Sequence, residues 1–255
     1  MEAHSQATPL PVNNSDQRTS RVSEVALQLR EAIYEGRHRP GAPLRELVLA
    51  RELQVSQATV REALGRLEHE GLVTRRENVG TTVTRLSPRD IAERLNLRVM
   101  LEVFAARAAA ERMTEQEFAE LERRLDALGR SVESNRYFAS AQSDLDFHRY
   151  VWQCSGNETL CGMLEQLVTP LFAFISVLRS HHLDRLPDVV ASHRPLLEAL
   201  RSRDAGRIRE AFTRGVTASY EPFLGTGNPG LKAAAYGFLG AADTGADHAD
   251  NLAQS

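Results

Sequence analysis

Residues 39–85 read RPGAPLRELVLARELQVSQATVREALGRLEHEGLVTRRENVGTTVTR, and this stretch constrains the fold more than any other. Leu49, Ala50 and Leu53 form the apolar stripe of a short helix over about 45–54. Ser56 is a favourable N-cap for the next helix. Val60, Ala63, Leu64 and Leu67 are that helix's inward stripe, and Gly71 stops it. The two stripes are so close in sequence that only a tight turn fits between them. LVTRR and TTVTR then flank ENVG, which reads as a short β-hairpin. Upstream, Val22, Val25, Ala26, Leu29 and Ile33 stripe a helix over 21–35 that ends at Gly36. RHRPGAPL follows it as a turn. The order is that of a winged helix-turn-helix domain.

This arrangement suits double-stranded DNA. The third helix is short enough to enter a major groove with its N-terminal end against base edges. The outward face there carries Ser56, Gln57, Thr59 and Arg61, with Arg45 at the head of the preceding helix. The free amides at the helix start can also accept a phosphate. Arg75 and Arg76 lead to a wing tip containing Gly80, placed to follow the backbone or minor groove. From Arg18 to Arg85 there are 12 Arg and 9 Glu, while the rest of the chain holds 19 basic and 25 acidic residues. A mildly basic N-terminal part on an acidic body is compatible with nucleic-acid binding.

Beyond Ser87 the pattern is all helix. Ser87-Pro88 opens a long helix with apolar residues on several sides (Leu97, Leu101, Phe104, Ala108), expected to be central and buried. Thr114 and Glu117 make a capping box for the next helix. Helices over Asn135–Cys154, Asn157–Arg179 (with Pro170 a kink), Pro187–Arg203 and Asp204–Tyr220 complete a bundle of about six. The fold class is therefore mainly α. The expected domains are a disordered arm (1–19), a winged helix-turn-helix domain (20–86), a helical effector-binding and dimerisation domain (87–222) and a flexible tail (223–255). No apolar run nears the ~20 residues that span a bilayer, and no secretory signal is visible. Cys154 and Cys161 are not in a CxxC pair, which fits reduced thiols in a cytoplasmic protein.

Within the bundle, DLDFHRY places Asp144 and His148 four residues apart on one inward helix face. His193 lies in the apolar stripe formed by Val189, Val190, Leu196, Leu197 and Leu200. One carboxylate and two imidazoles are ordinary ligands for a divalent transition metal. Asp146 is off the stripe, next to Arg149 and Tyr150, and reads as part of a surface ion pair. There is no HExxH, no G-x-S-x-G and no phosphate-binding glycine loop, so no enzymatic motif competes with the binding reading.

RPGAPLRELVLARELQVSQATVREALGRLEHEGLV and its wing resemble the winged-helix domain of GntR-family transcription regulators. LRVMLEVFAARAAA, DLDFHRYVWQCSGN and SHRPLLEALRSRDAGRIREAF are similar to the FCD effector domain of the FadR-like branch. Together these blocks cover about residues 20–222. The resemblance implies a cytoplasmic homodimer on a palindromic operator, most often a repressor, controlled by a small-molecule effector. It also implies that Arg61 contacts DNA. The family usually has Arg where Gln57 stands; Gln favours adenine over guanine, so the half-site is expected to differ. Many FCD domains hold a metal with one Asp and three His. Asp144, His148 and His193 align with three of those ligands, and the fourth position is Gly215. A divalent metal (zinc, manganese or nickel) would therefore be held weakly or not at all, unless His181 or His182, both expected in a loop, replaces the missing ligand. Two readings stay open. Either a weakened metal site helps bind an organic acid, or Asp144, His148 and His193 bind the effector directly and Gly215 opens space for it. Arg98 either pairs with an effector carboxylate or bridges to Glu102. Other classes to weigh are a metal-dependent small-molecule enzyme and an architectural DNA-binding protein without effector control.

Overall fold

The first helix starts well before its apolar stripe. In the computed structural model, which describes residues 14–76, 80–182, 189–218 and 220, α1 spans Asn14–Tyr34. Residues 14–19, expected in the arm, are therefore its opening turns; residues 1–13 and 221–255, which hold the rest of the arm and the expected tail, lie outside the described residues. Next come α2 (Glu46–Glu52) and α3 (Gln57–His69). The turn between them passes through Gln54 at φ 54° and ends on Ser56, whose hydroxyl accepts the Thr59 amide at 3.1 Å. A third strand joins the expected hairpin: β1 (Pro43–Leu44), β2 (Val73–Arg76) and β3 (Gly80–Val83) form an antiparallel sheet in the order β1-β3-β2. Val73 faces Val83 and Arg76 faces Gly80 across the hairpin.

Six helices make the bundle among the described residues: α4 (Pro88–Arg112), α5 (Glu115–Glu133), α6 (Tyr137–Cys154), α7 (Glu158–His182), α8 (Val189–Ser202) and α9 (Ala205–Ala218). Reciprocal capping boxes start α4, with Ser87 and Asp90, and α5, with Thr114 and Glu117. Pro170 does not break α7, which runs through it to His182. His181 and His182 are thus in helix rather than loop, although their side chains lie outside the described set.

One expectation about burial needs correction. α4 is not buried all round. Ile91, Leu95, Val99, Ala106 and Ala109 face the core, but Leu97, Met100 and Phe104 are 50%, 40% and 60% exposed. Their i, i+3, i+7 spacing puts them on one outer face. In addition, Glu158–Ser180 is long and apolar enough by length and composition to cross a membrane. Polar residues interrupt every run in it, so counting runs misses it; most of it is buried against the bundle.

α7 is common to both halves of the molecule. Leu164, Val168, Phe172 and Ala173 belong to one apolar core with Val25, Leu29 and Ile33 of α1 and Leu64 and Leu67 of α3. Burial of a side chain of this size contributes roughly 1.5–3 kcal/mol. Gly71, which ends α3 at φ 74°, lies against Pro170 so closely that a Cβ there would come within 2.9 Å of Pro170 Cγ. The Tyr34 hydroxyl reaches the Thr169 carbonyl at 3.4 Å.

Candidate DNA-binding face and effector cavity

Ser56, Gln57 and Arg61 are exposed at the start of α3, as are Arg45 before α2, Arg75 and Arg76 on β2, and Gly80 at the wing. Thr59 is not part of this face. It is buried, with its hydroxyl 2.8 Å from Ser56 Oγ. Glu46, which sequence reasoning passed over, organises two of these side chains. It accepts from Gln57 Nε2 at 3.0 Å and from Arg61 Nη2 at 2.8 Å. The Arg61 hydrogen bond holds the Glu46 carboxyl below its usual range. An acid at the head of the first helix of a helix-turn-helix was the available signal.

The second cluster forms where α4, α6, α7 and α8 meet. α6 brings Asp144 and His148 inward on one face, and α8 brings His193 from the other side; all three are buried. Asp144 Oδ1 lies 3.0 Å from His193 Nε2 and 3.5 Å from His148 Nε2. The outer nitrogen of each ring faces an acceptor. His193 Nδ1 is 2.8 Å from the Val189 carbonyl, and His148 Nδ1 is 2.9 Å from Glu102 Oε2. Burial works against charge on both members of the Asp144–His193 pair, but their mutual attraction outweighs it. Asp144 is lowered to about 2 and His193 is raised above its ordinary value.

Arg98 is engaged in three directions. Its Nε donates to Glu102 Oε1 at 2.7 Å, Nη1 to the Tyr220 hydroxyl at 3.3 Å, and Nη2 approaches His148 Nε2 at 3.4 Å. The intrahelical bridge to Glu102 is therefore present. An arginine has only donors, so His148 Nε2 is the acceptor in that contact. Asp146 sits apart, 3.2 Å from Arg149, which also pairs with Glu165.

The donor set can be tested against a metal. One oxygen and two imidazole nitrogens lie within 4.8 Å of one another. His193 is oriented by the Val189 carbonyl, as metal-bound histidines are by an outer acceptor, whereas His148 Nδ1 lies near Glu102 Oε2 without a hydrogen bond. These three residues fit a divalent ion. No fourth ligand comes from α9; Gly215 lines the cavity, and a Cβ there would lie 3.1 Å from Leu196 Cδ2, so a side chain would need Leu196 to give by a few tenths of an ångström. The Arg98 guanidinium beside His148 Nε2 also disfavours a cation there.

The enclosed space has room for about one water, ≈ 10 Å³. Two of its polar wall residues were not foreseen. Tyr220 continues the Ile208, Phe212, Val216 stripe past the end of α9, and extending that stripe would have found it. Arg179 follows Phe172 and Ile175 along α7; a lone arginine in an apolar helix was the signal.

Both halves of the chain match known families. Residues 21–83 match the family described as bacterial regulatory proteins, gntR family, and residues 93–218 match the FCD domain. The chain is 33% identical over 219 residues to a probable D-xylose utilization operon transcriptional repressor of Paenarthrobacter nicotinovorans, covering 85% of this chain and 94% of that protein. It is 28% identical to the transcriptional repressor NanR of Klebsiella aerogenes, over 76% of this chain and 82% of that one. Among solved structures, E. coli McbR/YncC superposes with a TM-score of 0.67 at 25% identity, covering 80% of this chain and 96% of that chain.

Proposed function

The chain belongs to the gntR family of bacterial regulatory proteins and carries an FCD domain, so it is a ligand-responsive DNA-binding transcriptional regulator; from that premise we propose that it is a repressor whose bundle senses a small organic acid. The observation that carries this reading is the buried cluster of Asp144, His148, His193 and Arg98 beside α7, the helix that also forms the core beneath α3.

Gln57 and Arg61, held on Glu46, are the base readers. Arg45, Arg75 and Arg76 meet phosphates, and Gly80 lets the wing approach the backbone. The protein works as a homodimer on a palindrome. Its second copy covers the outer face of α4, where Leu97, Met100 and Phe104 are too exposed for a solitary surface. An effector in the cavity shifts α7, and Pro170 passes the shift to Gly71 at the end of α3. Were a divalent metal bound, Asp144, His148 and His193 would hold it, and it would supply a Lewis acid to the cavity. In either state, the Val189 carbonyl orients the His193 imidazole and Glu102 lies against His148.

The test is fluorescence anisotropy on operator fragments recovered by binding-site selection. Organic acids should release the DNA, and affinity should fall steeply with salt. Binding that ignores ionic strength counts against the phosphate contacts. Release by no compound favours an architectural protein.

A further inference from the structure

We propose that Arg179 is the anion-receiving residue of the cavity and that it selects an effector bearing a single carboxylate. The inference rests on the effector reading above and adds which residue takes the charge.

Arg179 is 6% exposed, and its Nε is buried without a hydrogen-bond partner. No ion pair to Arg179 forms among the described residues. Asp144 feels its charge, but Asp144 is already bonded to His193. A buried guanidinium with no hydrogen-bonded counter-charge is unfavourable. It is retained at little advantage to the folded chain alone, but it is what a ligand anion needs. Arg98, the arginine that sequence reasoning favours, is already engaged by Glu102, Tyr220 and His148 and stacks 4.9 Å over the Phe172 ring. An effector would have to break those contacts to use it.

Arg179 lines the cavity together with Phe172, Ile175 and Leu196. These set an apolar wall beside one open cation. The Ser176 hydroxyl, on the same helix, is also buried and without a partner. A guanidinium fork matches the two oxygens of a carboxylate. One uncommitted cation balances one negative charge, which favours a monocarboxylate over a dicarboxylate or a phosphate. The enclosed space holds about one water (≈ 10 Å³), so the walls part when the acid enters.

The experiment is thermal denaturation of the full chain with a panel of C2–C6 monocarboxylates, each paired with its neutral amide, plus succinate and inorganic phosphate. The proteins are wild type, Arg179→Gln, Arg179→Met and Arg179→Lys. At least one monocarboxylate should raise the wild-type Tm by roughly 5 °C at saturation, and its amide should not. Gln and Met should abolish the shift, and Lys should restore part of it. Without ligand, Arg179→Met should melt no lower than wild type, because it removes a buried unpaired charge. An acid that stabilises Arg179→Gln as well as wild type overturns the assignment and leaves the effector reading standing. So does an Arg179→Met protein that melts several degrees lower without ligand, which would make Arg179 structural. Amides as effective as acids, or phosphate or succinate more effective, overturn the monocarboxylate class. If no compound shifts the wild type, this inference and the effector reading fail together.

Discussion

At the scale of single residues, the two positions that depart from the family resemblance make the sharpest demands. Gln57 is exposed and rests on Glu46 together with Arg61. A glutamine pairs with adenine N6 and N7, whereas arginine pairs with guanine O6 and N7. Gln57→Arg should switch one operator position from A to G in a binding-site selection, with about 1–3 kcal/mol of discrimination; unchanged preference would remove Gln57 from the readers. Gly215 is the other departure. A histidine there presses on Leu196, since its Cβ would lie 3.1 Å from Leu196 Cδ2. Gly215→His alone should therefore cost about 1–3 kcal/mol of stability from overpacking. Combined with Leu196→Ala it should gain zinc affinity, read by metal titration. If the double variant binds zinc no better than wild type, α9 does not face the metal position.

At the scale of elements, α4 shows how a helix can be apolar on several sides and still not be central. Its inner face carries the core and the Arg98–Glu102 bridge. Its outer face carries Leu97, Met100 and Phe104, with Phe104 60% exposed. Periodicity identifies both faces but not what covers the second. If a second copy covers it, Phe104→Glu places a charge in that interface without touching the core. Sedimentation analysis should then show monomers with the same melting temperature as wild type, or lower only by the dimer's contribution. A Phe104→Glu protein that stays dimeric would place the interface elsewhere.

At the scale of the whole molecule, the property of interest is that one helix lines the cavity and also packs beneath α3. Phe172 lies at the cavity and in the core shared with α1 and α3; two residues before it, Pro170 sits against Gly71. Gly71 combines a positive φ with a contact that leaves no room for a Cβ. Gly71→Ala should destabilise by about 1 kcal/mol or more and push the end of α3 off α7. The measurement is the ratio of operator affinities with and without effector, which should move towards one. An unchanged ratio would mean the coupling runs by another route.

Sequence alone determined the helix-turn-helix with its wing, the six-helix bundle and the inward placement of Asp144, His148 and His193. Each of these rests on short-range rules: stripe period, capping residues and turn chemistry act within a few residues of one another. Only the tertiary structure decided what those residues meet. Thr59 was lost to the cap, Glu46 joined Gln57 and Arg61 across the turn, and Leu196 took the place beside Gly215. Arg98 proved engaged and Arg179 open, because packing between distant helices assigns counter-charges and volume. A sequence stripe records which side of a helix is inward; it carries no record of the partner on the other side.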